Sequence, residues 1–81
     1  MLRLVTSAQS LGALIRDERK KQGLTQVELG KMTGLGQTTL SLIEKGKPSV
    51  QFQTIMVLLS ALKLNLQIGP KEQTAPGEDR W

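Results

Sequence analysis

The sequence predicts a mainly α fold: a domain of four to five helices built on a helix-turn-helix, with one short strand at its C-terminal side. Three observations carry this reading. Apolar residues recur at helical spacing over 8–22 and again over 51–62. Between them, residues 25–46 read TQVELGKMTGLGQTTLSLIEKG, two short helical stretches punctuated by glycines. After them, residues 64–68, LNLQI, alternate apolar and polar with the period of a strand. The chain divides accordingly into an N-terminal arm, 1–6, a folded domain, 7–69, and a tail, 70–81.

The arm begins MLRLV, with Leu2 and Leu4 alternating around Arg3, a pattern suited to an extended segment. Packing on the core, packing on a partner and simple fraying are all open to so short a piece. Ser7 is the expected N-cap of a first helix over 8–22, because a hydroxyl there accepts one of the amide donors left free at a helix start. Leu11, Leu14 and Ile15 give that helix one apolar stripe. Arg16, Arg19, Lys20 and Lys21 gather in its last two turns, where cations complement the helix dipole, and Gly23 ends it.

Thr25 and Glu28 form a T-x-x-E capping box that starts the second helix. Gly34 suits the left-handed residue that ends it. Gly36 can cap the third helix, in which Leu40 and Ile43 share one face, and Gly46 closes it. Met32 and Leu42 fall out of phase with these anchors and are expected at the surface or an interface. Lys45 and Lys47 flank Gly46 in a loop broken by Pro48. A fourth helix over 51–62 carries Phe52, Ile55, Met56, Val57, Leu58, Leu59 and Leu62, more apolar surface than a peripheral helix of a small domain needs. Part of it, Val57 included, is expected to face a partner.

A lone strand cannot satisfy its own backbone hydrogen bonds. The 64–68 stretch can pair with the arm or with its copy in a second chain. The second arrangement is the expected one, a two-fold antiparallel ribbon that makes a homodimer through Leu64, Leu66, Ile68 and Val57. Residues 71–80, KEQTAPGEDR, are polar and interrupted by Pro76 and Gly77, and disorder is expected there. Trp81, the only Trp, stands at the end as a chance aromatic or as an anchor for a partner's pocket.

Composition narrows the chemistry. The chain of 81 residues has no Cys, His or Tyr, so disulfides and the usual metal and acid–base sites lack their ligands. No metal, cofactor or enzymatic activity is expected: no glycine-rich phosphate loop is present, and Asp17-Glu18 and Glu78-Asp79 read as solvated charge. Neither a membrane span nor a signal-peptide core is visible, which points to the cytoplasm. The net charge is +4, and residues 1–69 hold nine Lys or Arg against four acidic residues. A basic folded part favours polyanions weakly and would also suit a merely solvated surface.

From Arg19 to Gly46 the pattern R-x-x-x-G-L-T-Q-x-E-L-x-x-x-T-G-L-x-Q-x-T-L-S-x-I-E-x-G resembles the Cro/C1-type (XRE) helix-turn-helix repressors of bacteria and phages, with the flanking helices included over about residues 7–62. The resemblance implies a lambda-repressor-like domain that binds double-stranded DNA, with the third helix in the major groove and the second crossing the backbone. Residue types agree: Gln37 can pair with adenine, and Thr38, Thr39 and Ser41 offer hydroxyls and methyls to base edges. Thr25, Gln26, Lys45 and Lys47 suit phosphates. By resemblance, Gln26 also braces Gln37, and Arg19 forms a partly buried ion pair with Glu44. Gly30 departs from the Ala usual in relatives, as Gly36 does from Ser or another polar residue. The fourth helix, the L-x-L-x-I stretch and the Trp-terminated tail are similar to HipB-type antitoxins. That similarity implies a dimer that represses its own operon at a palindromic operator in the nucleoid and neutralises a HipA-like Ser/Thr kinase toxin. A stand-alone repressor is the alternative.

Overall fold

In a computed structural model, described over residues 2–47 and 49–71, the chain forms α1 (Ala8–Lys21), α2 (Gln26–Thr33), α3 (Gln37–Glu44) and α4 (Phe52–Ala61). Residues 72–81 of the expected tail, Trp81 included, lie outside the described residues. Local chemistry accounts for the starts of α1 and α2 and for the end of α2, whereas α3 and α4 begin at Gly36 and Gln51 with no side-chain cap. The Ser7 hydroxyl accepts from the Ser10 amide at 3.0 Å while the Ser10 hydroxyl accepts from the Ser7 amide at 3.0 Å, a reciprocal box at the head of α1. Thr25 and Glu28 do the same for α2, at 3.0 Å and 2.8 Å. Gly34 ends α2 with φ 78°, a conformation that costs an L side chain about 1 kcal/mol or more.

Ile15, Leu29, Leu40, Ile43, Ile55, Leu58, Leu59 and Leu62 form the core, with Leu11, Leu14, Leu24, Leu35, Val50, Ala61 and Leu64 packed on it. α3 packs against α1 and α2, and α4 packs against α2. Burial of each Leu or Ile contributes roughly 1.5–3 kcal/mol, so this cluster is the main force that seats α3 on its support. Met32 and Leu42 are exposed, as their phase predicts.

Gly12 and Gly30 are two of the places where backbones meet. A Cβ at Gly12 would overlap the carbonyl oxygen of Ile43, so α1 and α3 touch main chain to main chain. A Cβ at Gly30 would stand 2.5 Å from the Leu35 carbonyl oxygen. The Gly30 carbonyl accepts from the amides of Gly34, at 2.7 Å, and Leu35, at 3.1 Å. The turn therefore folds back onto α2, and Gly30, read from propensity as a weakness, is what lets it close.

Just past α4 and its C-cap Leu62 stands Lys63 at φ 61°, the one non-glycine residue at positive φ among the described residues. The Leu64 amide donates to the Leu59 carbonyl at 2.8 Å, which reverses the chain and lays Leu64 on the core. Gln22 Nε2 pins the same corner by donating to the Leu62 carbonyl at 2.8 Å. Residues 64–68 form no ladder in the single chain, and among the described residues no backbone hydrogen bond joins them to the arm. The arm is instead tied to α1 by Arg3 and Asp17, at 3.0 Å and exposed.

Candidate nucleic-acid interface

The interface is built outward from a buried ion pair. Arg19 is 8% exposed although it belongs to a cluster of cations at the end of α1. Its Nε donates to Glu44 Oε2 at 2.7 Å and its Nη2 to Glu44 Oε1 at 3.0 Å, a bidentate fork that joins α1 to the end of α3. Nη1 donates to the Leu24 carbonyl at 2.8 Å. Hydrogen bonding to Glu44 holds the guanidinium more firmly protonated than usual, burial opposes this, and attraction to the carboxylate adds to it.

Glu44 has a second task. Its Oε1 also accepts from Gln26 Nε2 at 3.2 Å. Gln26 thereby presents its Oε1 outward, where Gln37 Nε2 donates to it at 3.4 Å, a long contact at the edge of hydrogen-bonding range. A connected path thus runs from buried Arg19 through Glu44 and Gln26 to exposed Gln37. Gln37 retains one amide hydrogen and its carbonyl oxygen, the pair that matches adenine N7 and N6.

α2 begins beside this path. Thr25 accepts from the Glu28 amide, while the amides of Gln26 and Val27 have no partner among the described residues. Such free donors at a helix start attract anions. Glu28 is held below the usual carboxylate range, first by the Thr25 amide, then by the Thr25 hydroxyl and the nearby charge of Lys31, against slight desolvation.

On α3, each residue advances about 100° around the axis. Leu40 and Ile43 are buried, Ser41 is half-buried, and Gln37, Thr38 and Thr39 are exposed, as are Lys45, the C-cap, and Lys47 in the loop beyond. Gln37, Ser41, Lys45 and Thr38 fall in that angular order on the side away from the core. Thr39 does not join them: it stands about 160° from Gln37, at the margin of the exposed face. Leu42 does join them, about 40° beyond Thr38, a placement that the spacing of apolar residues did not assign.

The helix-turn-helix family HTH_3 matches residues 15–68. The chain belongs to this family of Cro/C1-type regulators. It is accordingly a DNA-binding transcription regulator, and the family is generally non-enzymatic. An uncharacterized HTH-type transcriptional regulator, y4mF, of Sinorhizobium fredii (strain NBRC 101917 / NGR234) is 34% identical over 80 residues, covering 99% of each chain. The ImmF control region 10 kDa protein of Bacillus phage phi105 is 42% identical over 60 residues, 72% of this chain and 67% of that protein. Among solved structures, HipB in complex with the 20mer O2 matches with a TM-score of 0.82 at 25% identity, over 89% of this chain and 100% of that one. HipB within a HipA–HipB–O2–O3 complex matches with a TM-score of 0.80 at 25% identity, over 88% of this chain and 100% of that one. The restriction-modification controller protein C.AhdI from Aeromonas hydrophila gives 0.67 at 28%, over 72% of this chain and 88% of that one.

Among the described residues no helix is long and apolar enough to cross a membrane, and no group of His, Cys, Asp or Glu could hold a metal. The residues expected at a dimer contact are distributed unevenly. Val57 is half-buried on α4, Leu64 is packed on the core, Leu66 is 43% exposed and Ile68 is 91% exposed. Met56, Ser60, Lys63, Leu64 and Leu66 line an open groove beside α4.

Proposed function

We propose that the protein is a dimeric, sequence-specific repressor and the antitoxin of a HipA-like Ser/Thr kinase, autoregulating its operon at a palindromic operator in the bacterial nucleoid. The observation that carries the DNA-reading part is the Arg19–Glu44–Gln26–Gln37 path. It braces Gln26 firmly against a buried anchor and gives the Gln37 amide, on the exposed face of α3, one long contact to lean on before DNA arrives. Gln37, Thr38 and Ser41 read base edges, with Thr39 at the margin. Thr25, Gln26, Lys45 and Lys47 hold phosphates. Two copies of α3 address half-sites about one helical turn apart, roughly 34–36 Å.

The second copy is supplied by the α4 side. Residues 64–68 pair with the same residues of another chain, which removes Leu66 and Ile68 from water and gives the stretch the ladder it lacks in one chain. Sedimentation tests this: Leu66→Glu yields monomers that remain helical, and an unchanged mass rules the arrangement out.

The antitoxin part is supported by the likeness to HipB along the whole of that chain, including HipB in complex with HipA. Trp81, outside the described residues, is the proposed anchor on the kinase. The likeness to the phage ImmF control region protein favours a second reading, a repressor with no toxin. Native purification of the untagged protein from its own cells decides between them. A kinase in stoichiometric complex, lost on Trp81→Ala, supports the first; the homodimer alone establishes the second.

A further inference from the structure

We infer that Leu42 reads a thymine methyl group in each half-site, an apolar element of specificity placed beside the polar readers of α3. The inference rests on the DNA-reading role proposed above for that helix. Leu42 is 42% exposed and takes no part in the core cluster. It is one turn past Thr38 and three residues before Lys45, so it stands on the same outward stripe as two of the proposed DNA contacts. Exposed Met56 and Leu66 lie elsewhere, in the groove beside α4.

Chemistry selects the ligand. A leucine side chain has no donor or acceptor, so it cannot recognise guanine, cytosine or adenine by hydrogen bonding. The one apolar group in the major groove of unmodified DNA is the C5 methyl of thymine. Leu42 lies about 6 Å along α3 from Thr38, close to two base-pair steps of about 3.4 Å each. It therefore meets a base pair near those contacted by Gln37 and Thr38, not the same ones. Backbone geometry fixes its position: the Lys47 amide donates to the Leu42 carbonyl at 3.1 Å, which closes the end of α3 and sets Lys47 just beyond. A phosphate contact by Lys47 would hold the Leu42 side of the helix toward the groove.

The test is competition binding on a duplex enriched by the wild-type protein from a random pool. Each thymine is replaced in turn by deoxyuridine, which removes only the methyl, and the series is repeated with Leu42→Ala, a change at an exposed site that leaves helix propensity intact. The expected result is one thymine per half-site at which deoxyuridine weakens the wild type by on the order of fourfold and leaves Leu42→Ala unaffected. Leu42→Asn should lose the preference for thymine at that position. The same thymine-to-deoxyuridine profile for wild type and Leu42→Ala overturns the inference, as does an effect of Leu42→Ala on sedimentation mass with an unaltered profile. If the wild type enriches no sequence, the DNA-reading role of α3 fails first, and the inference falls with it.

Discussion

Gln26 Nε2 donates to Glu44 Oε1 at 3.2 Å, and that same oxygen receives Arg19 Nη2 at 3.0 Å. One carboxylate therefore secures both the scaffold and the side chain that braces Gln37. The side chains of Arg19 and Glu44 are only 9% and 4% exposed, so each charge depends on the other.

Removing one partner leaves the other buried and unpaired. Arg19→Met and Glu44→Leu are each expected to lose roughly 3–5 kcal/mol in urea unfolding. The double variant should recover much of that loss, since two apolar groups of similar size replace a desolvated pair. Additive losses would mean that the pair acts through something other than mutual neutralisation.

Gly30→Ala separates propensity from packing. Helix propensity alone predicts a gain of about 1 kcal/mol. The Leu35 carbonyl, 2.5 Å from the position of the new Cβ, is main chain held in the turn and cannot rotate away. Overpacking of this kind costs roughly 1–3 kcal/mol, and the variant should be less stable by up to about 2 kcal/mol. A raised melting temperature would show that the turn between α2 and α3 is looser than described.

Acid should weaken the head of α2 through Glu28. Its folded pKa lies below the ordinary carboxylate value of 4.5, so its contribution to stability is complete above that value and lost as pH falls through the folded pKa. Thermal melts should place Glu28→Gln below the wild type at pH 7, with the gap closing as pH drops under about 4. A gap that persists at pH 2 would assign the effect to something other than the charge.

Much of this was legible in the sequence because it is local. Ser7, the Thr25–Glu28 box and Gly34 announce their helix ends within four residues, and the apolar phase of α1 and α4 identifies the core. The resemblance to Cro/C1-type repressors, and not spacing, carried the Arg19–Glu44 pair, because a cation at the end of α1 is equally well explained by the helix dipole. What stayed hidden depends on the meeting of distant backbones. The need for glycine at 12 and 30 appears only once α3 lies on α1 and the turn lies on α2. The link from Gln26 to Glu44 spans 18 residues and has no sequence signature. Leu42 was separable from the core by phase, yet its company on α3 required the helix to be seated. The 64–68 stretch shows a strand period in sequence and forms no ladder in one chain.

The central claim is that the face of α3 headed by Gln37 distinguishes one DNA sequence from another. Parallel titrations of wild type and Gln37→Ala against the enriched duplex and against a scrambled duplex, at one salt concentration, test it most directly. Specific binding should weaken by roughly 1–3 kcal/mol while binding to the scrambled duplex stays nearly unchanged. An equal loss on both duplexes, or no loss on either, would contradict the claim.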